Sequence, residues 1–261
     1  MRTKREQKHT DKPDAARRVV FIRMKVFEIV QKYKRPNFTC DVCDREVFGG
    51  ERICKKCHEA LPWVGETFCP ICGRKTVEAG VCIQCKADRP AFDRARSVFV
   101  HEGEAARLVV RLKVGEKFLV EALSQLLLPL SEGFPDIDAV AFVPMTERAK
   151  RTRGYNQSRL LAERVAEERG LELLDCLEKV KESQPQKLLD RKSRGENLRG
   201  CFRVKDKKSV KGRKILLVDD TMTTGATAGE LASRLKRAGA DKVYLMTITS
   251  VPYRPISGTG A

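Results

Sequence analysis

The segment of this sequence best suited to binding a ligand consists of two adjacent carboxylates and the threonine- and glycine-rich run that follows them. Asp219 and Asp220 follow an apolar run, and carboxylates accept hydrogen bonds from hydroxyl groups. The next residues supply backbone N–H groups, hydroxyls, a glycine and the start of a helix, which together suit one phosphate group. An acidic helix cap would explain one of these polar residues but not the whole run. A diol and a phosphate held together describe a ribose 5-phosphate, which residues 219–227 are predicted to bind.

Eight of the ten cysteines fall in four C-x-x-C pairs. Two such turns complete one tetrahedral Cys₄ shell, so four pairs predict two zinc ions, both structural because no coordination position stays open. Iron–sulfur clusters and redox-active pairs are the alternatives. The pairs can combine in three ways, and consecutive pairing is favoured over an interleaved, cross-braced finger because it closes shorter loops. The predicted ligands are Cys40, Cys43, Cys54 and Cys57 for one ion and Cys69, Cys72, Cys82 and Cys85 for the other.

The net charge of +17 is concentrated in two segments. Residues 1–39 hold 12 Lys/Arg against 4 Asp/Glu, and residues 181–214 hold 13 against 4, whereas residues 40–91 hold 8 of each. Clustered cations attract polyanions, so a nucleic acid or a polyphosphorylated small molecule is a candidate partner. For the N-terminal arm, a solvated and solubilising surface is an equally good interpretation.

The elements that must position these residues follow an α/β alternation that begins near residue 92. Strand–helix–strand units of this kind imply a parallel sheet, and ligands of open α/β sheets bind at the carboxyl ends of the strands. Three segments are expected: a basic, partly disordered arm (1–39), a double zinc ribbon (40–91) and an α/β domain (92–261). Strands are predicted at 97–100, 139–143, 215–218 and 243–248, and helices at 105–112, 118–128, 158–169 and 226–238.

The run from Ile215 to Thr227 resembles the phosphoribosyl pyrophosphate (PRPP) motif of the type I phosphoribosyltransferases, in its apolar strand, both aspartates and its T-T-G-A-T loop. The wider chain, over about residues 40–250, resembles the ComF family of competence proteins. In that family cysteine pairs precede the α/β domain, and one proline of its V-P-x-P segment is missing here. The other matching residues are Leu112-Lys113, Gly115, Arg153-Gly154-Tyr155-Asn156-Gln157, Gln186, Leu189, Arg194, Asn197 and Phe202.

This resemblance implies a type I phosphoribosyltransferase-like sheet flanked by helices, with Mg²⁺ accompanying PRPP. Asp219 and Asp220 would hold the ribose hydroxyls. A mobile loop within residues 181–214 would cover the ligand. No catalytic base is evident. The implied contacts are Thr221, Thr223, Thr224, Gly225, Ala226 and Thr227 for the 5′-phosphate, the 146–154 loop with Arg148, Lys150, Arg151, Arg153 and Gly154 for the pyrophosphate, and Gln186, Arg194 and Asn197 in the mobile loop.

Three functions remain open from the sequence. The first is a PRPP-binding ComF protein that serves DNA uptake or processing, with single-stranded DNA and competence or recombination proteins as partners. The second is a phosphoribosyltransferase of unknown acceptor, and the third is a non-catalytic PRPP sensor. An amidotransferase is not expected, because position 2 is Arg and no large extra domain precedes residue 92. The chain has no membrane-spanning run and no secretory signal, so a cytoplasmic location is expected, and Met24 is a possible true start.

Overall fold

The computed structural model describes residues 38–134, 136–181, 198 and 200–252. Its centre is a five-stranded sheet in which every neighbouring pair of strands is parallel. The strands of this sheet are β1 (Arg94–Val100), β2 (Ala139–Phe142), β3 (Glu172–Leu174), β6 (Lys214–Met222) and β7 (Lys242–Ser250), in the spatial order β1-β7-β6-β2-β3. The short strands β4 (Leu177–Lys179) and β5 (Phe202–Val204) form a separate antiparallel pair.

Helices and loops cover both faces of the sheet, which explains why its central strands contain continuous apolar runs. Val140, Leu216 and Met246 face one hydrophobic cluster, and Ala141 and Leu217 face the other. Helices α3, α4 and α6 pack on the first face, and α7 packs on the second. The helices are α1 (Lys55–Ala60), α2 (Ile83–Ala87), α3 (Gly103–Val114), α4 (Leu119–Ser131), α5 (Glu147–Arg153), α6 (Gln157–Arg169) and α7 (Ala226–Arg237).

The register of the sheet places the end of β2 beside the acidic pair. Phe142, the last residue of β2, is paired with Val218, which directly precedes Asp219 in β6. On the other side of β6, Asp219 is paired with Thr247 of β7. The segments that follow β2, β6 and β7 therefore leave the sheet at the same end, the carboxyl end of its strands. Parallel sheets present a ligand-binding crevice at this end.

The cysteine-rich segment, residues 40–91, packs along β1, which is an edge strand of the sheet. Val98 O accepts a hydrogen bond from Val64 N at 3.0 Å, and Ala95 N donates to Ile71 O at 2.7 Å. Gly73 makes this approach possible, because a Cβ at its position would lie 2.4 Å from the Ala95 carbonyl oxygen and its φ is +68°. The cysteine-rich segment thus covers a strand edge that would otherwise be open to pairing with other chains.

The predicted fold class, a parallel sheet flanked by helices after a zinc-ribbon module, is confirmed. Strand β6 runs past the predicted end at residue 218 to Met222, so both aspartates lie within the strand. Strands β3, β4 and β5 were not predicted, since three residues are too few to show a periodic pattern. No helix among the described residues is long and apolar enough to cross a membrane.

Candidate ligand site and metal centres

Three side chains from two helices hold the acidic pair of β6. Ser158 Oγ donates to Asp219 Oδ1 at 2.8 Å, and Gln157 Nε2 donates to Asp220 Oδ2. From α3, Lys113 Nζ lies 3.0 Å from Asp220 Oδ1. Asp220 is only 3% exposed, so these contacts offset the cost of burying its charge. The pair is thus an organised site at the sheet edge.

The carboxyl of Asp219 resists ionisation. Burial raises its pKa to about 7, and the charge of Asp220 acts in the same direction, while Ser158 and Lys113 act against them. Two carboxylates so close repel each other unless hydroxyls or cations bind them. The ionised form of Asp219 is therefore favoured by a ligand that supplies hydroxyl donors or a cation.

The raised pKa of Asp219 predicts a pH-dependent stability difference between the wild type and Asp219→Asn. The unfolded carboxyl ionises near pH 4 and the folded one near pH 7, so the wild type loses stability as the pH rises through this window. Relative to the wild type, Asp219→Asn should therefore gain up to about 2 kcal/mol between pH 5.5 and pH 8. Urea unfolding at both pH values measures the difference. Asp241→Asn, at an exposed position, is the control, and a difference independent of pH contradicts the assignment.

The segment between α5 and α6 supports the acidic pair residue by residue. Arg153 Nη1 donates to Gln157 Oε1 at 2.7 Å, and Gln157 in turn donates to Asp220. Asn156 caps α6 through its side chain and also donates to Val143 O at 3.0 Å, which ties α6 to the end of β2. The R-G-Y-N-Q motif is thus the scaffold that fixes Gln157 and the next residue, Ser158.

The basic segment after β2 is a helix, α5, and the loop predicted for residues 146–154 is wrong. Thr146 caps the helix by accepting from Ala149 N at 3.2 Å, and Gly154 follows its last residue with a φ of 81°. Because successive helical residues are rotated by about 100°, the four cationic residues leave the helix axis in different directions. Of these cations, Arg148, Lys150 and Arg151 are exposed, and Arg153 is partly buried in the network around the acidic pair.

The segment predicted to bind the phosphate divides between strand β6 and the turn that follows it. Thr221, predicted to belong to the loop, lies in β6 with its Oγ1 3.0 Å from Thr249 Oγ1 of β7. The turn proper covers residues 223–225, and Gly225, with a φ of +83°, begins α7. Brought together between β6 and the first turn of α7 are Thr223, Thr224, Gly225, Ala226 and Thr227.

The eight paired cysteines form the two predicted groups, with consecutive pairing. In each group the four sulfur atoms lie within 4.8 Å of one another. The distance between Cys43 Sγ and Cys54 Sγ is 3.8 Å, and that between Cys72 Sγ and Cys82 Sγ is 3.7 Å. A tetrahedral Zn²⁺ with Zn–S bonds of about 2.3 Å requires sulfur atoms about 3.8 Å apart. Both groups therefore fit a structural zinc ion.

In each group, backbone N–H groups favour the thiolate form of one cysteine. Cys54 N donates to Cys40 Sγ at 3.3 Å, and Cys82 N donates to Cys69 Sγ at 3.4 Å. Burial raises the pKa of Cys40 and of Cys69, but these and other backbone N–H groups outweigh it and lower both pKa values to about 7. Metal binding requires deprotonated sulfur, so the same N–H groups favour zinc.

Comparison with known proteins identifies the family. The DNA utilization protein YhgH of Escherichia coli (strain K12) is 30% identical over 204 residues, which cover 74% of this chain and 88% of that protein. Competence protein F of Haemophilus influenzae is 25% identical over 80% of this chain and 95% of its own length, and competence protein ComFC of Bacillus subtilis (strain 168) is 28% identical over 73% and 81%. The chain belongs to the ComF family. Residues 36–86 of this ComF-family chain also match the double zinc ribbon domain.

Solved structures similar to part of this ComF-family chain include an amidotransferase and a phosphoribosyltransferase. A glutamine PRPP amidotransferase from B. subtilis has a TM-score of 0.33 and 22% identity, covering 49% of this chain and 25% of the amidotransferase. A purine phosphoribosyltransferase from Pyrococcus horikoshii Ot3 has a TM-score of 0.31 and 13% identity, covering 55% of this chain and 94% of that enzyme. The chain spans only a quarter of the amidotransferase.

Several residues around the site were not assigned to it from the sequence of this ComF-family chain. Gln157 and Lys113 match the family and Ser158 begins a predicted helix, but no sequence pattern connects them to the acidic pair. His101 Nδ1 lies 2.9 Å from Thr249 Oγ1, and burial and the charge of Lys113 lower the pKa of His101. Outside the described residues lie most of the arm and the predicted mobile-loop residues Gln186, Arg194 and Asn197.

The two cysteine groups predict a metal content that can be divided between them. Purified, untagged protein should contain about two zinc ions per chain, because each tetrahedral site takes four thiolates. Cys43→Ser and Cys72→Ser should each lower the ratio to about one, since the affected group keeps three sulfur ligands. Elemental analysis measures the ratio. A ratio near zero, or iron in place of zinc, contradicts the assignment.

Proposed function

We propose that this ComF-family protein binds PRPP or another ribose 5-phosphate compound at the carboxyl end of strand β6, with Mg²⁺ strengthening the complex. The observation that carries the proposal is the acidic pair, in which Asp220 is buried and held by Lys113 and Gln157 directly before a threonine- and glycine-rich turn. A ligand that supplies hydroxyl donors or a cation stabilises two carboxylates held together at such a position.

In this proposal the two carboxylates accept hydrogen bonds from the ribose hydroxyls. The backbone N–H groups of residues 223–227 and the start of α7 bind the 5′-phosphate. Mg²⁺ supplies positive charge that offsets the repulsion between the carboxylates and the ligand phosphates. Arg153 is the cation of α5 that joins the network at the acidic pair, which favours it over Arg148, Lys150 and Arg151 as the pyrophosphate contact.

Calorimetric titration of the wild type with PRPP, with and without Mg²⁺, tests the proposed binding. Saturable binding heat, with an affinity for PRPP that increases when Mg²⁺ is present, supports the proposal. The absence of heat at millimolar PRPP overturns the proposal. PRPP-dependent release of pyrophosphate separates the two uses of the site. Release with an added acceptor identifies a phosphoribosyltransferase, whereas binding without release identifies a sensor that regulates a partner.

We propose in addition that the protein serves DNA uptake or processing and contacts single-stranded DNA and the proteins that handle it. Relatives are named for DNA utilization and for competence. The concentrated positive charge of residues 1–39 and 181–214 provides the phosphate contacts.

The charge distribution predicts a salt-dependent affinity for single-stranded DNA. Residues 1–23 hold 8 Lys/Arg and 3 Asp/Glu, so a chain that starts at Met24 loses a net charge of +5. Each lost phosphate contact should reduce the slope of log affinity against log salt by about 0.7. Fluorescence anisotropy of both chains at several salt concentrations, with oligonucleotides of different sequence, measures the slopes. Equal affinity and equal slope exclude a role for the arm.

A further inference from the structure

We propose that the second Cys₄ centre, formed by residues 69–85, positions the phosphate-binding turn through Arg74 and Gln84. Ligand binding at the sheet edge then depends on zinc in the second centre and not on zinc in the first. The ligand-binding part of this inference rests on the proposed function, whereas the positioning of the turn stands on the geometry alone.

Arg74 and Gln84 belong to the knuckles of the second centre and reach across to the turn. Arg74 is two residues after Cys72, and Gln84 directly precedes Cys85. Arg74 Nη2 donates to the carbonyl oxygen of Thr223, and Arg74 Nη1 donates to Gln84 Oε1. Gln84 Nε2 donates a hydrogen bond to the carbonyl oxygen of Thr224 at 3.4 Å. Two residues of the second Cys₄ centre thus form hydrogen bonds with two consecutive carbonyl groups of the turn.

Both side chains are buried, which makes these contacts costly to lose. Arg74 is 3% exposed and Gln84 8% exposed. The oxygens that Arg74 bonds are uncharged. Arg74 and Gln84 are each within two residues of a predicted zinc ligand, Cys72 and Cys85, so the fold of the second centre sets the position from which both side chains bond the turn.

The bound carbonyls determine where the N–H groups of the turn point. In a trans peptide the C=O of one residue and the N–H of the next point in opposite directions. Fixing the carbonyls of Thr223 and Thr224 toward the ribbon therefore directs the N–H groups of Thr224 and Gly225 away from it. N–H groups held in this way are prepared to bind a phosphate without further ordering of the backbone.

The first Cys₄ centre has the same backbone but lacks this connection. Arg45 occupies the position equivalent to Arg74, and each arginine carbonyl accepts from the first cysteine of its group, at 2.7 Å for Arg45 and 2.9 Å for Arg74. Arg45 is nevertheless exposed. The knuckle itself therefore does not require a buried arginine, and the contacts of Arg74 serve the turn. Arg45→Gln provides a control matched in residue type and in local backbone.

The experiment compares Arg74→Gln, Gln84→Leu and Arg45→Gln by zinc content, by ¹⁵N relaxation of the turn amides and by calorimetry with PRPP. We expect two zinc ions in all three. The order parameters of Thr224 and Gly225 should fall from about 0.85 to below about 0.6 in Arg74→Gln, and partly in Gln84→Leu, with no change in Arg45→Gln. The affinity for PRPP should fall about 10- to 100-fold in Arg74→Gln, in the range seen when residues supporting a binding group are removed.

Cys85→Ser and Cys57→Ser test the role of the metal by the same relaxation measurement. Loss of the second zinc in Cys85→Ser should mobilise the turn, whereas loss of the first in Cys57→Ser should not. Unchanged order parameters in both Arg74→Gln and Gln84→Leu overturn the positioning role, whatever happens to affinity. If the turn loosens as expected but the wild type binds no PRPP, the proposed function fails and the positioning role stands.

Discussion

Replacement of both Asp219 and Asp220 by asparagine should abolish the proposed PRPP binding while the fold survives. Asparagine has the same size but no charge, and its amide nitrogen donates where the carboxylate accepted, so contacts to ribose hydroxyls and Mg²⁺ are lost together. Two charge-assisted hydrogen bonds are each worth about 1.5–3 kcal/mol, which corresponds to a loss of at least about 100-fold in affinity. Calorimetry with Mg²⁺ and PRPP measures this loss.

Asp241→Asn is the matched control for the double variant, because it makes the same substitution at an exposed position directly before β7, at the opposite end of the strands from the turn. It should bind PRPP as the wild type does. The double variant should keep its melting temperature or gain slightly, since the repulsion between the carboxylates is removed. Equal binding by the double variant and the wild type places the ligand elsewhere and contradicts the residue assignment.

Removal of zinc should unfold the cysteine-rich segment and destabilise the edge strand β1, which this segment covers. Each structural zinc contributes an apparent free energy of about 10–16 kcal/mol to a small metal-dependent fold, and the segment has little apolar core of its own. Its loss also exposes the N–H and C=O groups of β1 that Val64 and Ile71 now bond. A chelator should therefore lower the melting temperature by more than about 10 °C and favour aggregation.

Limited proteolysis with and without the chelator identifies where the chain opens. Cleavage should appear first within residues 38–88 and later in the sheet, and added zinc should reverse the sensitivity if it precedes aggregation. Resistance of the cysteine-rich segment after complete removal of metal contradicts a metal-dependent fold.

The parts of the site that could be predicted from the sequence are those that are contiguous in the chain. Asp219, Asp220 and the turn after them lie within nine residues, so their chemistry is visible without a fold. The zinc ligands were predictable because the entropy of loop closure favours neighbouring pairs, and this pairing is confirmed.

The residues that support the acidic pair could not be predicted in the same way. Lys113 reaches Asp220 across more than a hundred residues, and Arg74 reaches Thr223 across 149. Such contacts depend on the order of strands and the docking of the ribbon, which no local pattern encodes. The helix α5 is different, because Thr146 and Gly154 are ordinary start and stop signals from which this helix could be predicted.

A crystal structure of the complex with PRPP and Mg²⁺ tests the central claim most directly. We expect the ribose 2′- and 3′-hydroxyl oxygens within hydrogen-bonding distance of the Asp219 and Asp220 carboxylates, and the 5′-phosphate against the N–H groups of residues 223–227. Ligand density at another position, or an empty sheet edge in crystals grown at saturating PRPP, contradicts the account.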